Sequence, residues 1–395
     1  MPYGGRWREY KRAFNQLFNQ TTVREYRPQL VKAARYLVKR LYNKPQDFAH
    51  HIRYSFGSSI LSVVYGIQVA EEDDNYIATV EHALEGAEQG FRPGAFLVDF
   101  IPALKYVPEW VPGAEFQRKA AGWKKDAEAM KDVPWQNIVK DGDHTPVAMK
   151  LSELLSNVDA SDFGEDGDEM SRNICAIAYA GGADTTVGAV HCFFLAMAIY
   201  PEVQRRAQQE LTTVVGPNRM PEFSDWDSLP YISALCKESM RWQPTLPLSV
   251  AHRSLEDDEY RGYFIPAGSI LIQNTWAILH DPEKYPDPER FNPERFLKDG
   301  RLDPGVKDVR AAFGAGRRIC PGRYFSDMSL FITVASILHT FDISPPLDSE
   351  SRPRKIEPAM GSGSMSHPLP FECSVKPRSK LAEAVALGDY STEQR

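Results

Sequence analysis

The chain has 395 residues, 43% of them hydrophobic and 25% charged, enough for a sizeable core in one large domain or two smaller ones. Its formal net charge is −7, which counts against nucleic-acid binding, since that needs a basic surface. Five cysteines, Cys175, Cys192, Cys236, Cys320 and Cys373, are odd in number and contain no CxxC pair; this argues against a disulfide framework or a structural zinc site and for a reducing compartment.

The first residues, "MPYGGRWREYKRAF", are polar and basic and hold no signal-peptide core. "YRPQLVKAARYLVKRLY", "RYSFGSSILSVVYGI" and "NYIATVEHALEGAEQGF" repeat apolar residues at helical spacing and predict three helices. "RPGAFLVDFIPALKYVPEWVPG" predicts a Pro-studded apolar loop, because proline removes donors and breaks helices. It is expected to pack as a buried loop, with a pocket wall or a membrane contact as the other readings. A helical run, "AEFQRKAAGWKKDAEAMKDVPWQNIVK", ends at "DGDHTP", and the acidic loop "VDASDFGEDGDEM" leads into a long apolar helix from about Ser171 to Tyr200. The longest apolar run in it, "AVHCFFLAMAIY", is too short to span a bilayer. Pro201 opens the next helix at its first turn. "LSVAHRSL", "EYRGYFIP" and "SILIQNT" are short, β-branched and turn-bounded, so they predict strands. "RYFSDMSLFITVASILHTF" returns to helix, and the last stretch, 376–395, reads as a polar tail carrying a surface helix or a frayed end.

Chemistry concentrates in three stretches. In "FGAGRRICPG", Gly314, Gly316 and Gly322 let the backbone turn sharply and approach a flat object, while Arg317, Arg318 and the helix beginning after Pro321 favour a thiolate at Cys320. In "KESMR", Glu238 and Arg241 lie three apart on one helix face and can pair. In "AYAGGADTTVGAV", two adjacent glycines and a D-T-T run are unfavourable inside a helix, which reads either as a kink or as a site.

The order F-G-x-G-x-R-x-C-x-G, held by Phe313, Gly314, Gly316, Arg318, Cys320 and Gly322, resembles the haem-binding loop of the cytochrome P450 family. The D-T-T stretch is similar to the family's central helix. There Gly181, Gly182 and Ala183 would leave room on the oxygen side of the haem, and Asp184 and Thr185 match the catalytic acid–alcohol pair that delivers protons. Glu238 and Arg241 match the family's E-x-x-R pair, joined by Arg295 of "FNPERF" in a buried network that fixes the fold around the haem loop. "GGRWREYKRAF" resembles the W-x-x-x-[RK] helix, so Trp7 and Lys11 would bond a haem propionate, with lysine in the usual arginine place. Arg253 and Arg318 match further propionate partners. Ala176, Leu246, Val250 and 361–365 match substrate-contact regions.

The resemblance covers 1–375 and is similar in flavour to fungal secondary-metabolism members, among them O-methylsterigmatocystin oxidoreductase-like proteins. It implies a mainly α-helical fold with a minor β region and haem b whose iron takes Cys320 as its only protein ligand. Electrons would come from NADPH through NADPH-cytochrome P450 reductase, and one oxygen atom would enter a small hydrophobic substrate, on the cytosolic face of the endoplasmic reticulum membrane. Trp7 falls almost at the start of the chain, where members carry an anchor, a hinge and the first strands. The expectation is therefore an N-terminally truncated member with an unpaired sheet edge. Two other readings stay open: a truncated non-catalytic haem-thiolate protein, and a haem-thiolate isomerase or dehydratase needing no reductase.

Overall fold

The computed structural model describes residues 1–70, 74–90, 94–140, 142, 144–159, 161, 164–306 and 308–388. Parts of the "RPG", "DGDHTP" and "VDASDFGEDGDEM" stretches, and 389–395 of the polar tail, lie outside the described residues. The chain divides into two units, 1–187 with 321–333, and 188–320 with 334–395.

Helices dominate. They are α1 (Gly5–Phe18), α2 (Arg27–Asn43), α3 (Phe48–Tyr65), α4 (Asn75–Gly90), α5 (Glu115–Gln136), α6 (Val147–Leu154), α7 (Gly167–Ile199), α8 (Pro201–Val214), α9 (Pro230–Trp242), α10 (Thr275–Leu279), α11 (Arg323–Thr340) and α12 (Lys380–Leu387). Most predicted helices appear with shifted ends. The long apolar helix starts earlier, at Gly167, and runs unbroken through Gly181 and Gly182, so the glycine pair does not interrupt it.

In the first unit α3 is the central element: it is buried nearly all round, with Ile52, Ile60, Leu61, Val63 and Val64 almost wholly inaccessible. Its left-handed C-cap at Gly66 (φ +73°) can only be glycine, because a Cβ there would lie 1.7 Å from the carbonyl oxygen of Val139. Helix α4 lies against it, a Cβ at Gly57 falling 2.6 Å from Cδ1 of Ile77. The stretch expected to pack as a buried loop is instead two single-turn 3-10 helices, Leu97–Asp99 and Pro102–Tyr106, with Leu97, Phe100, Ile101, Tyr106 and Trp110 exposed. Pro102, Pro108 and Pro112 keep these turns too short to bury an apolar face.

In the second unit, α8 docks on the strand pair β7 (Phe341–Ser344) and β8 (Ser374–Pro377) through side-chain amides. Gln204 Nε2 donates to the Ile343 carbonyl at 2.8 Å and its Oε1 accepts from the Ile343 amide at 2.8 Å; Gln208 Nε2 donates to the Phe341 carbonyl at 3.1 Å. The predicted strands form two small antiparallel pairs, β1 (His252–Arg253) with β4 (Ile270–Leu271) and β2 (Asp258–Tyr260) with β3 (Tyr263–Ile265), while β5 (Leu297–Lys298) pairs with β6 (Arg301–Leu302). Among the described residues, no third strand joins any of these pairs, and Val250, Ile270, Leu271 and Ile272 stay exposed. Two-stranded ribbons of this kind have little stability of their own.

Candidate functional site

The Cys320 loop is built by turns. A 3-10 turn, Val309–Phe313, ends at Gly314 (φ +79°), and a second, Gly316–Arg318, starts at Gly316 (φ +61°). Both glycines occupy the left-handed region that a side chain resists. The Cys320 amide then donates to the Phe313 carbonyl at 2.8 Å, so Phe313 and Cys320 close a loop. Three cysteines are buried, and burial pushes the Cys192 thiol up to about 12 and Cys175 further. Cys373 is only partly accessible and is likewise pushed to about 12 by burial. Cys320 is thus a half-buried thiol in a glycine-bounded loop, with the exposed Arg317 and Arg318 just before it. Helix α11 begins three residues later, after Pro321 and Gly322.

Arg253 sits on β1, exposed; a Cβ at Gly268 (φ +86°) would lie 3.2 Å from its Nη2, so glycine there leaves room for the guanidinium. Trp7 and Lys11 are four apart on α1, hence on one face, and both are half-buried. Tyr3 lies against Trp7 with ring centroids 5.0 Å apart.

The network around Glu238 is closed on every side. Arg241 donates to the carboxylate through Nε (2.7 Å) and Nη2 (2.9 Å), and to the carbonyls of Leu279 (3.0 Å) and Pro288 (2.7 Å). Arg295 Nε donates to Glu238 Oε1 at 3.1 Å, and its other nitrogens reach the carbonyls of Pro286, Asp287 and Arg290. The Asn292 amide supplies a further bond to Glu238 at 2.7 Å. The resemblance predicted this buried triad, and the geometry agrees.

Helix α7 carries the D-T-T stretch. It is 33 residues long, and its most apolar window is 83% buried, as a core helix should be. Yet Ile177 is 64% exposed, Gly181 is exposed with open space where a Cβ would stand, and Thr185 is half-buried. These are i, i+4 and i+8, one stripe on one face. Between 174 and 199, Ile177 and Gly181 are the exposed residues of α7. Thr185 Oγ1 donates to the Gly181 carbonyl at 2.6 Å, and Asp184, next in the chain, is buried.

Three sequence expectations are refined here. Gly181 opens onto the space, but Gly182 serves packing: a Cβ there would lie 2.8 Å from Cγ1 of Ile60 on α3. Ala183 and Ala176 are buried, so the exposed position is Ile177, which sequence reasoning passed over.

The family model described as Cytochrome P450 matches residues 1–375. A cytochrome P450 monooxygenase of Coprinopsis cinerea is 42% identical over 384 residues, covering 96% of this chain and 73% of the relative. Tryptamine 4-monooxygenase of Psilocybe cyanescens is also 42% identical over 384 residues, covering 96% and 75%. A solved zebra fish cytochrome P450 superposes with a TM-score of 0.74 at 24% identity, covering 95% of this chain and 83% of that one, and supports the fold. With a family model matched over 1–375 and relatives 42% identical across 96% of its length, the chain belongs to the cytochrome P450 family. It is a haem-dependent monooxygenase, an oxidoreductase like its fungal relatives.

Proposed function

We propose that Cys320 would supply the thiolate that holds the haem iron and that Trp7, Lys11, Arg253 and Arg318 would hold the propionates, with Phe313 and Gly322 shaping the loop. The observation that carries this is the Cys320 loop: a half-buried thiol in a loop turned by two left-handed glycines, among cysteines that are otherwise buried or raised in pKa by burial. When bound, the haem supplies oxygen activation, with electrons from NADPH through a flavoprotein reductase. The protein's own residues orient the substrate, exclude water and move protons. Thr185 Oγ1, now bonded to the Gly181 carbonyl, is the hydroxyl that passes a proton into the open space, and Asp184 recharges it. The space beside Ile177 takes a small apolar substrate, and the fungal relatives support a place in secondary metabolism.

The site of action proposed is the cytosolic face of the endoplasmic reticulum membrane. Its support is the exposed cluster Leu97, Phe100, Ile101, Tyr106 and Trp110, since aromatic residues favour the bilayer interface.

The test is a carbon monoxide difference spectrum of the reduced, haem-loaded protein. A Soret band at the position of a thiolate-ligated haem, lost in Cys320→Ser, is the expected result. A band at that position retained in Cys320→Ser removes the assignment.

A further inference from the structure

Helix α1 carries Trp7 and Lys11, yet its own sequence does little to hold that end in place. Its buried residues are Ala13, Leu17 and Phe18, all in the C-terminal half. From 5 to 11 every residue is half-buried or exposed. The N-cap is Gly4, which has no side chain to cap with. The first turn holds Arg6 and Arg8, two cations at the positive end of the helix dipole. An end built this way needs a hold from another element, and an anion suits it.

That anion is Glu165, two residues before α7. Its side chain is only 6% exposed, and its Oε1 accepts from Arg6 Nε at 2.7 Å, the length of a charge-assisted hydrogen bond. Asn173 on α7 completes the clasp: its Nδ2 donates to the Tyr10 hydroxyl at 3.1 Å and to Glu165 Oε2 at 3.3 Å. Burial first, and a bond to Glu165 second, push the Tyr10 phenol up, so it stays protonated. Arg6 and Tyr10 are four apart and share one face of α1. Trp7 and Lys11 share the next face, about 100° round. A grip on the first face therefore sets the rotation of the second.

We propose that Glu165 is a positioning residue for the haem: by gripping Arg6 and Tyr10 it fixes the turn of α1 that presents Trp7 and Lys11 to the propionates. The inference rests on the propionate role proposed above for that pair. Charge alone would act the other way, since one carboxylate repels another. Losing the grip and losing the charge of Glu165 thus have opposite effects on haem retention.

The test uses the haem-loaded full chain and variants Glu165→Ala, Arg6→Gln and Arg6→Lys, together with the double variant Trp7→Phe with Lys11→Gln. Two quantities are read: the rate of haem transfer to an excess of apomyoglobin, and amide hydrogen exchange across residues 5–11 against 13–18. Glu165→Ala and Arg6→Gln should speed haem transfer severalfold and quicken exchange in 5–11 about tenfold, with 13–18 unchanged. Arg6→Lys should return part of both, because a cation is still there to meet the carboxylate. In a chain already carrying Trp7→Phe and Lys11→Gln, Glu165→Ala should add nothing to the transfer rate, since its effect passes through that pair. If the double variant speeds transfer but Glu165→Ala and Arg6→Gln leave it unchanged or slow it, or if the effects add in full, Glu165 is an ordinary ion-pair partner and the proposal falls alone. If the double variant transfers haem at the wild-type rate, the propionate reading fails and takes the role of Glu165 with it.

Discussion

Glu238 and Arg241 face each other at 2.7 Å with both side chains at 0% exposure, three residues apart on α9. Every nitrogen and oxygen of the pair that points inward has a partner, including Arg295 and the carbonyls of Leu279 and Pro288. Removing one member strands the others. Glu238→Ala leaves two buried cations uncompensated and should cost about 3–5 kcal/mol in a urea melt, with haem retention falling in parallel. A variant that melts like wild type would show that the network contributes little to the fold.

Cys320→Ser should abolish the thiolate spectrum, because a hydroxyl is a hard and weak substitute for sulfur. Cys373→Ser, at a thiol that burial already holds protonated, should keep the spectrum with only a packing cost. The reduced carbon monoxide spectrum of both variants, recorded side by side, checks this.

The glycine pair of α7 divides cleanly. Gly182→Val places side-chain carbon where Ile60 already sits, 2.8 Å from a Cβ, and should destabilise the fold by about 1–3 kcal/mol. Gly181→Ala adds a methyl to open space, and the gain in helix propensity should leave stability unchanged or slightly raised. Its effect should fall instead on ligand affinity, read by spectral titration with apolar ligands. Equal melting of the two variants would contradict the assignment of roles.

Much of this was legible beforehand. Glu238 and Arg241, three apart on a helix, do pair, with Arg295 joining them as the resemblance implied, and Gly314 and Gly316 turn the backbone at positive φ as glycine allows. What escaped depends on which way a helix is turned. Nothing in "CAIAYAGG" says that Ile177 is open while Ala176 is buried, since both are apolar and the distinction comes from what packs on each side of α7. The same holds for Arg53, an unremarked cation until α3 sets it beside Asp184. The loop from Leu97 to Trp110 was expected inside because its composition is that of a core; its prolines keep it outside.

Thr185→Ala should leave haem binding intact and uncouple turnover, with NADPH still consumed, peroxide raised and product reduced. The hydroxyl donates to the Gly181 carbonyl one turn back, a side-chain bond that the backbone ladder of α7 does not depend on. Equal peroxide per NADPH in variant and wild type would sink the proton-delivery role.

Acid should loosen the second unit through His339. Burial chiefly, with Arg378 and Arg219 nearby, lowers its pKa from 6.5 to about 4, and Nδ1 has no hydrogen-bond partner among the described residues. Between those values the unfolded chain binds the proton and the folded one does not. Stability is therefore full above pH 6.5 and declines as pH falls toward 4, by at most about 3 kcal/mol. His339→Gln should flatten that part of the pH–stability curve measured by urea unfolding. An unchanged slope would place the acid sensitivity elsewhere.

The open stripe on α7 has an evolutionary side. Ile177 gains little from folding, since most of its surface is left outside the protein's own packing. Replacing it should leave the melting point where it was and, on the function proposed above, would reshape the space offered to the substrate. Lineages can therefore explore new chemistries at this position without first acquiring compensating mutations, whereas every neighbour on the buried faces is held by the core.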